Sequence, residues 1–187
     1  MKFEYAHISD SLFRQEYQLS RVQEYAEMAL YAVIAFSLPF LLGHEQLLVG
    51  SVVNCALVLA ALNLKGARLL PVIILPSIGA YLAGLVFGVA SPALLYMIPF
   101  IWVGNAVLVL CIKYFVLDKK TNRFAALGFG AAAKAAFLFI SALALLSFSM
   151  VPAAFLTAMG IFQLVTALTG GVAALALQMG KRKFLAG

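Results

Sequence analysis

The sequence predicts an all-α, polytopic membrane protein of six transmembrane helices, and three observations carry that expectation. Of 187 residues, 65% are hydrophobic and only 11% are charged, where a soluble domain holds about a quarter charged residues. The apolar residues gather into six runs long enough to cross a bilayer, which takes about 20 residues each. The gaps between runs alternate in charge. Lys65-Gly66-Ala67-Arg68, the stretch Asp118 to Arg123 and the tail Lys181-Arg182-Lys183 are basic, whereas Gly43 to Gln46, Ala90-Ser91 and Ser147 to Met150 hold no Lys or Arg. Lys and Arg beside membrane helices stay on the cytoplasmic side, so both termini are expected to be cytoplasmic.

Residues 1–27 carry charges of both signs, among them Asp10, Arg14, Glu16, Arg21, Glu24 and Glu27. That mixture does not suit a secretory leader. Asp10 or Ser11 suits the cap of a helix in which Leu12, Phe13, Leu19 and Val22 alternate with charge. Residues 1–27 are therefore expected to form a short cytoplasmic or interfacial amphipathic segment, followed by a six-helix domain over 28–180 and a basic tail over 181–187.

Within the domain the first helix is expected over 28–42, with Pro39 near its outer end, and the second over 47–64. The third, over 69–89, opens on Pro71 and is bent at Pro76. The fourth covers 92–116 with Pro99 and Gly104 inside, the fifth 124–148 and the sixth 151–179. Interior prolines open the backbone ladder, and membrane helices tolerate them where neighbours repair the loss. Gly84-x-x-x-Gly88, Ala56-x-x-x-Ala60 and the run Gly128 to Ala133 read as points of close helix approach. Ala26, Ala29, Ala32 and Ala35 recur every third residue, a stripe open to two readings: packing inside the bundle, or docking to another membrane subunit.

Composition also excludes functions. Six helices and a short N-terminal segment are expected to leave no length for a soluble catalytic domain, and no basic face outside the membrane flanks suits nucleic acid. Cys55 and Cys111, and the histidines His7 and His44, form no metal-ligand spacing. No nucleophile–base pair or carboxylate pair is present, so no enzyme activity, cofactor or metal is expected.

Lys134 is the residue that most needs a reason. It lies 11 residues past Arg123, roughly 16 Å along a helix, where an ammonium costs roughly 3 kcal/mol to insert. Ala131, Ala132, Ala133, Ala135 and Ala136 leave room around it, and no Asp or Glu lies at that depth. Two readings stand: the ammonium snorkels or bonds to carbonyls freed by proline, or it is the counter-charge of an anionic ligand. Asn105 and Gln163 share its depth and either converge with it on a cavity or bond between helices as glue. Toward the outside come Asn54, Tyr96 and Trp102, with Trp102 and Asn105 on one helix face. Tyr96 also suits an interfacial aromatic belt. His44 and Glu45, in the first outer gap, read as a gate or as a cap of the turn.

The chain resembles the substrate-binding S components of energy-coupling-factor (ECF) vitamin transporters. The resemblance rests on a six-helix chain of this length with both ends inside, the small-residue first helix, and two stretches: Leu75-Pro76-Ser77-Ile78-Gly79-Ala80-Tyr81-Leu82-Ala83-Gly84 and Tyr96-Met97-Ile98-Pro99-Phe100-Ile101-Trp102-Val103-Gly104-Asn105. It implies an S-component-like bundle in the plasma membrane of a prokaryote that captures a small polar or anionic micronutrient. It implies as partners a transmembrane scaffold subunit, docked at Ala29, Ala32 and Ala35, and cytoplasmic ATPases. A self-sufficient small transporter or channel, and a non-transporting membrane scaffold, are the alternatives.

Overall fold

The computed structural model of the chain describes residues 10–43 and 45–186. Six helical spans long and apolar enough to cross a membrane make up the described fold, and no strand occurs among the described residues. Large apolar side chains such as Leu30, Val33, Leu41, Leu82, Phe129, Ile140 and Leu177 are exposed on the outside of the bundle. An exposed apolar surface of that extent fits lipid as the surrounding solvent.

Helix α1 (Arg21–Leu42) starts on a reciprocal cap: Gln23 N donates to Ser20 Oγ, and Ser20 N donates to Gln23 Oε1. Helix α2 (Gln46–Asn63) is followed by a 3-10 turn, Gly66–Leu69, that leads into α3 (Leu70–Ala83). A second 3-10 turn, Gly88–Ala93, leads into α4 (Leu94–Ile112), which continues as a π-helical turn over Lys113–Asp118. Helix α5 (Arg123–Ser147) is capped by Asn122 Oδ1, which accepts from the N–H groups of Phe124 and Ala125. The sixth span is two helices, α6 (Ala154–Met159) and α7 (Ile161–Ala186), separated by Gly160.

Backbones touch at two glycines. A Cβ on Gly170 would stand 2.0 Å from the Ser51 carbonyl oxygen, and one on Gly79 would stand 2.3 Å from that of Phe36. Glycine thus lets α7 lie on α2, and α3 on α1, without side chains between them. The main core packs Leu57, Leu62, Leu108, Ile112, Leu127 and Leu175 toward one end. A second cluster of Leu94, Met97, Leu138, Phe155 and Met159 fills the other.

The basic gaps do share one end. Ion pairs join Arg14 to Asp118 (2.9 Å), Arg123 to Glu16 (2.7 Å), Lys65 and Arg68 to Glu24, and Lys181 to Glu27. At the opposite, cation-free end the rings of Phe87 and Phe155 stack at 5.0 Å.

Several boundaries differ from the sequence reading. No amphipathic helix starts at Asp10 or Ser11: the helical backbone at these two residues gives way to a turn, and residues 14–20 are irregular. Their polar groups are spent on the bundle: Glu16 N donates to Leu62 O, Gln15 Nε2 to Asn63 O, and Arg14 O accepts from Lys113 Nζ. The segment is a strap across the basic end, and the first span starts at Arg21 rather than Met28. The third span ends at Ala83, because Gly84 and Gly88 adopt positive φ (65° and 54°) and form turns rather than a helix contact. The tail stays helical to Ala186. The single sixth helix is broken at Gly160, whose φ and ψ of −95° and −98° leave the helical region.

Candidate functional site

Polar side chains from five helices meet in a cleft that opens toward the cation-free end. Asn54 of α2, Ser77 of α3, Asn105 of α4, Lys134 of α5, and Gln163 and Thr166 of α7 all line it. Apolar walls come from Val49, Val53, Leu94, Ile101 and Met159, and Val86, Phe87 and Phe162 stand toward the mouth. The cleft encloses about 620 Å³ of atom-free space, its open mouth included, but the centre of a water-sized body fits in only about 80 Å³ of it. As it stands, the space suits a small guest. Gln46, Val86, Phe87, Ala158 and Phe162 also line a recess above it, so these side chains separate the cleft from the cation-free surface.

The floor is built around Asn54. Its Nδ2 donates to Gly50 O (2.9 Å) and to Thr166 Oγ1 (3.1 Å), and its Oδ1 accepts from Lys134 Nζ at 2.6 Å. That spacing is short even for a charge-assisted bond. Both donors of the Asn54 amide are in use. Lys134 is 2% exposed, and the Asn54 bond is its one partner among the described residues. An ammonium carries three donors, so two remain at the cleft.

The bend at Pro76 shapes the facing wall. Proline cannot donate to the carbonyl one turn back, and its ring opens the ladder there. Asn105 Nδ2 donates to Ile73 O (3.0 Å), and Trp102 Nε1 donates to Ile74 O (3.2 Å) and Ser77 Oγ (2.8 Å). Two α4 side chains one turn apart thus bond to α3 within its bent turn, at the carbonyls next to that of Val72, the one that Pro76 leaves without its helical donor. Asn105 Oδ1 and the Gln163 carboxamide have no hydrogen-bond partner among the described residues.

The basic end carries a denser polar network, in which Tyr17 Oη and Arg68 Nε are buried without a hydrogen-bond partner among the described residues. Lys113, fully buried, donates to Arg14 O and Leu64 O, both at 2.7 Å. Asn63 and Gln178 exchange two bonds (2.7 and 3.3 Å), Gln178 Nε2 reaches Glu16 Oε2 (3.0 Å), and Tyr31 Oη donates to Glu27 Oε2 (2.7 Å). Burial, and the Glu16 carboxylate next to it, raise the Tyr17 phenol above its usual range. This network is glue.

The structure brings four of the sequence-nominated residues, Asn54, Asn105, Lys134 and Gln163, to one cleft. Trp102 stands behind its wall, holding Ser77. Tyr96 is 48% exposed and does not line the cleft, because two residues past the lining Leu94 turn it about 200° round α4. Glu45 is exposed and its side chain caps nothing; the neighbouring Gln46 lines the mouth instead. His44 lies outside the described residues. Ala32 (5% exposed) and Ala35 (0%) are buried in the core, so they offer no docking surface, while Ala29 is exposed. Their burial has a geometric cause: a three-residue step falls about 60° short of a turn, so the stripe drifts from the outside to the inside of the bundle. Ser77, Thr166, Gln46, Phe87 and Phe162 escaped the sequence reading. Thr166 had a signal, since it follows Gln163 by three residues on one face.

No protein-family model, curated protein or solved structure matches this chain.

Proposed function

We propose that the chain is a membrane-embedded substrate-binding subunit that captures a small polar or anionic micronutrient for uptake. One observation carries the reading: a buried ammonium with a single protein partner among the described residues stands on the wall of an open cleft. A buried ammonium costs free energy unless its donors are met, and Lys113 marks how such a lysine is treated when its role is structural. The Gln163 amide and Asn105 Oδ1, also without partners among the described residues, supply further recognition groups.

Direction follows from charge. With the basic end in the cytoplasm, as the asymmetry of Lys and Arg favours, the cleft faces outward and the strap closes the inner side. That orientation puts both termini in the cytoplasm, and the resemblance to ECF S components implies the plasma membrane of a prokaryote. Among the described residues no Asp, Glu or His lines the cleft, which leaves no proton relay on its walls. Energy is accordingly assigned to other chains, a transmembrane scaffold and cytoplasmic ATPases, as in the ECF S components that the sequence resembles. Burial of Ala32 and Ala35 moves any scaffold contact on α1 to its exposed residues, Ala29 among them.

The test is to purify the protein in mild detergent and examine it by native mass spectrometry. A small molecule released on unfolding, and lost from a variant with Asn105→Leu and Gln163→Leu, supports capture at the cleft. Protein that is empty after expression in rich medium, and unaltered in stability by pooled micronutrients, removes the reading in favour of a scaffold. Solute accumulation in proteoliposomes that lack any ATPase would make the chain a self-sufficient transporter.

A further inference from the structure

Charge is divided unevenly along the bundle. Every ion pair among the described residues lies at the basic end, and no Asp or Glu among them lines the cleft. Lys134 therefore stands at the cleft without a carboxylate partner among the described residues, with Asn54 taking one of its three donors. A second feature has the same sign. The break at Gly160 makes α7 begin beside the cleft, with Phe162 and Gln163 of its first turn among the lining residues and no acidic residue in that turn. The start of a helix leaves backbone N–H groups without intrahelical acceptors and carries partial positive charge. In membrane carriers such interrupted helices face anionic groups of the solute.

We infer that the solute is a small monocarboxylate, held with its carboxylate at Lys134 and its body beneath Phe87 and Phe162. This rests on the proposed reading of the cleft as a solute site, and adds charge, charge number and orientation. One ammonium balances one negative charge. Among the described residues no arginine lines the cleft to grip a phosphate bidentately, and a dianion would keep one charge without a cationic partner among largely apolar walls. The walls of Val49, Val53, Leu94, Ile101 and Met159 match an apolar body. Asn105 Oδ1 and the Gln163 amide are placed to meet one or two polar atoms on it.

The experiment uses the purified full chain in detergent and reads the unfolding midpoint against pairs of acids and their primary amides: benzoate and benzamide, nicotinate and nicotinamide, hexanoate and hexanamide. Pairs of one shape isolate the charge. At least one acid is expected to raise the midpoint, with its amide weaker by about tenfold or more. Lys134→Met should remove that preference, and Lys134→Arg should keep it, which maintains the test if the Met variant does not fold. Amides that stabilise as well as acids overturn the carboxylate inference yet leave the cleft a solute site. Acids that fail throughout the panel overturn it as well; if native mass spectrometry also finds the protein empty, the solute-site reading falls with it.

Discussion

Lys134 Nζ and Asn54 Oδ1, 2.6 Å apart, tie α5 to α2 at a level where α2 and α7 nearly touch. A Cβ on Gly50 would stand 2.9 Å from Thr166 Cγ2, which is why Asn54, bonded to the Gly50 carbonyl one turn back in its own helix, also reaches Thr166. Asn54→Leu would leave the ammonium with no acceptor and Thr166 with one bond fewer. A hydrogen bond to a buried charged group is worth about 1.5–3 kcal/mol, and a loss of that size is expected in unfolding measured in detergent. Adding Lys134→Met should recover most of it, because the stranded charge is gone. Strictly additive losses in the double variant would show that the two side chains do not depend on each other.

The glycines divide into those that hold helices together and those that do not. Gly170→Ala drives a methyl into the Ser51 carbonyl and should destabilise by about 2–3 kcal/mol, the upper half of the range typical of overpacking. Gly128 has nothing within 4 Å of an added methyl and no positive φ, and it lies inside α5. Gly128→Ala should be neutral or stabilising by up to about 1 kcal/mol, the helix-propensity difference. The comparison is read as midpoint shifts under one detergent condition. A tolerated Gly170→Ala would mean that α2 and α7 do not touch backbone to backbone.

What the sequence disclosed depended on whether depth or azimuth was needed. Depth follows from counting residues, so Lys134, Asn105 and Gln163 were legible as neighbours in height, and so were the six spans and the charged end. Azimuth is less forgiving. Tyr96 shares a helix with cleft residues yet points away, and the alanine stripe rotates from outside to inside between Ala29 and Ala35. The strap was illegible for another reason: Arg14, Gln15 and Glu16 dock partly on backbone groups of Leu62, Asn63 and Arg14 itself, and their side-chain partners Asp118, Glu24, Arg123 and Gln178 are scattered along the sequence in no local pattern. A lone glycine in an apolar run, such as Gly160, reads as helix until its neighbours reveal the break.

The strap should be releasable by one substitution. Glu16 receives Arg123 at 2.7 Å and Gln178 at 3.0 Å, while its own N–H donates to Leu62 O at 2.8 Å. Glu16→Ala removes the two side-chain ties and leaves the Gln178 amide one acceptor short. Partly exposed ion pairs are individually weak, so the global midpoint should move little. Local opening should rise, with tryptic cleavage after Arg14 about five- to tenfold faster in the variant. Cleavage at an unchanged rate would show that the backbone ties alone hold the segment.

Phe87 stands where the cleft meets the recess above it, stacked on Phe155 at 5.0 Å with the rings 10° from parallel. The turn that carries it is bounded by Gly84 and Gly88, both at positive φ, so its backbone depends on glycine at each side. An aromatic pair of this kind is worth about 0.5–1.5 kcal/mol beyond its buried area. Phe87→Ala removes the pair and thins the barrier between cleft and surface, while the floor at Lys134 and Asn54 is untouched. The proposed solute should therefore leave about tenfold faster and enter faster by a smaller factor, with affinity falling only by what its body loses in contact with Phe87. Phe155→Ala should act in the same direction but less strongly, since Phe155 lines the recess and not the cleft. Exchange of a radiolabelled solute from the detergent-purified protein, followed by rapid filtration, measures both rates. If Phe87→Ala weakens equilibrium binding while exchange stays slow, Phe87 is part of the solute's wall rather than its door.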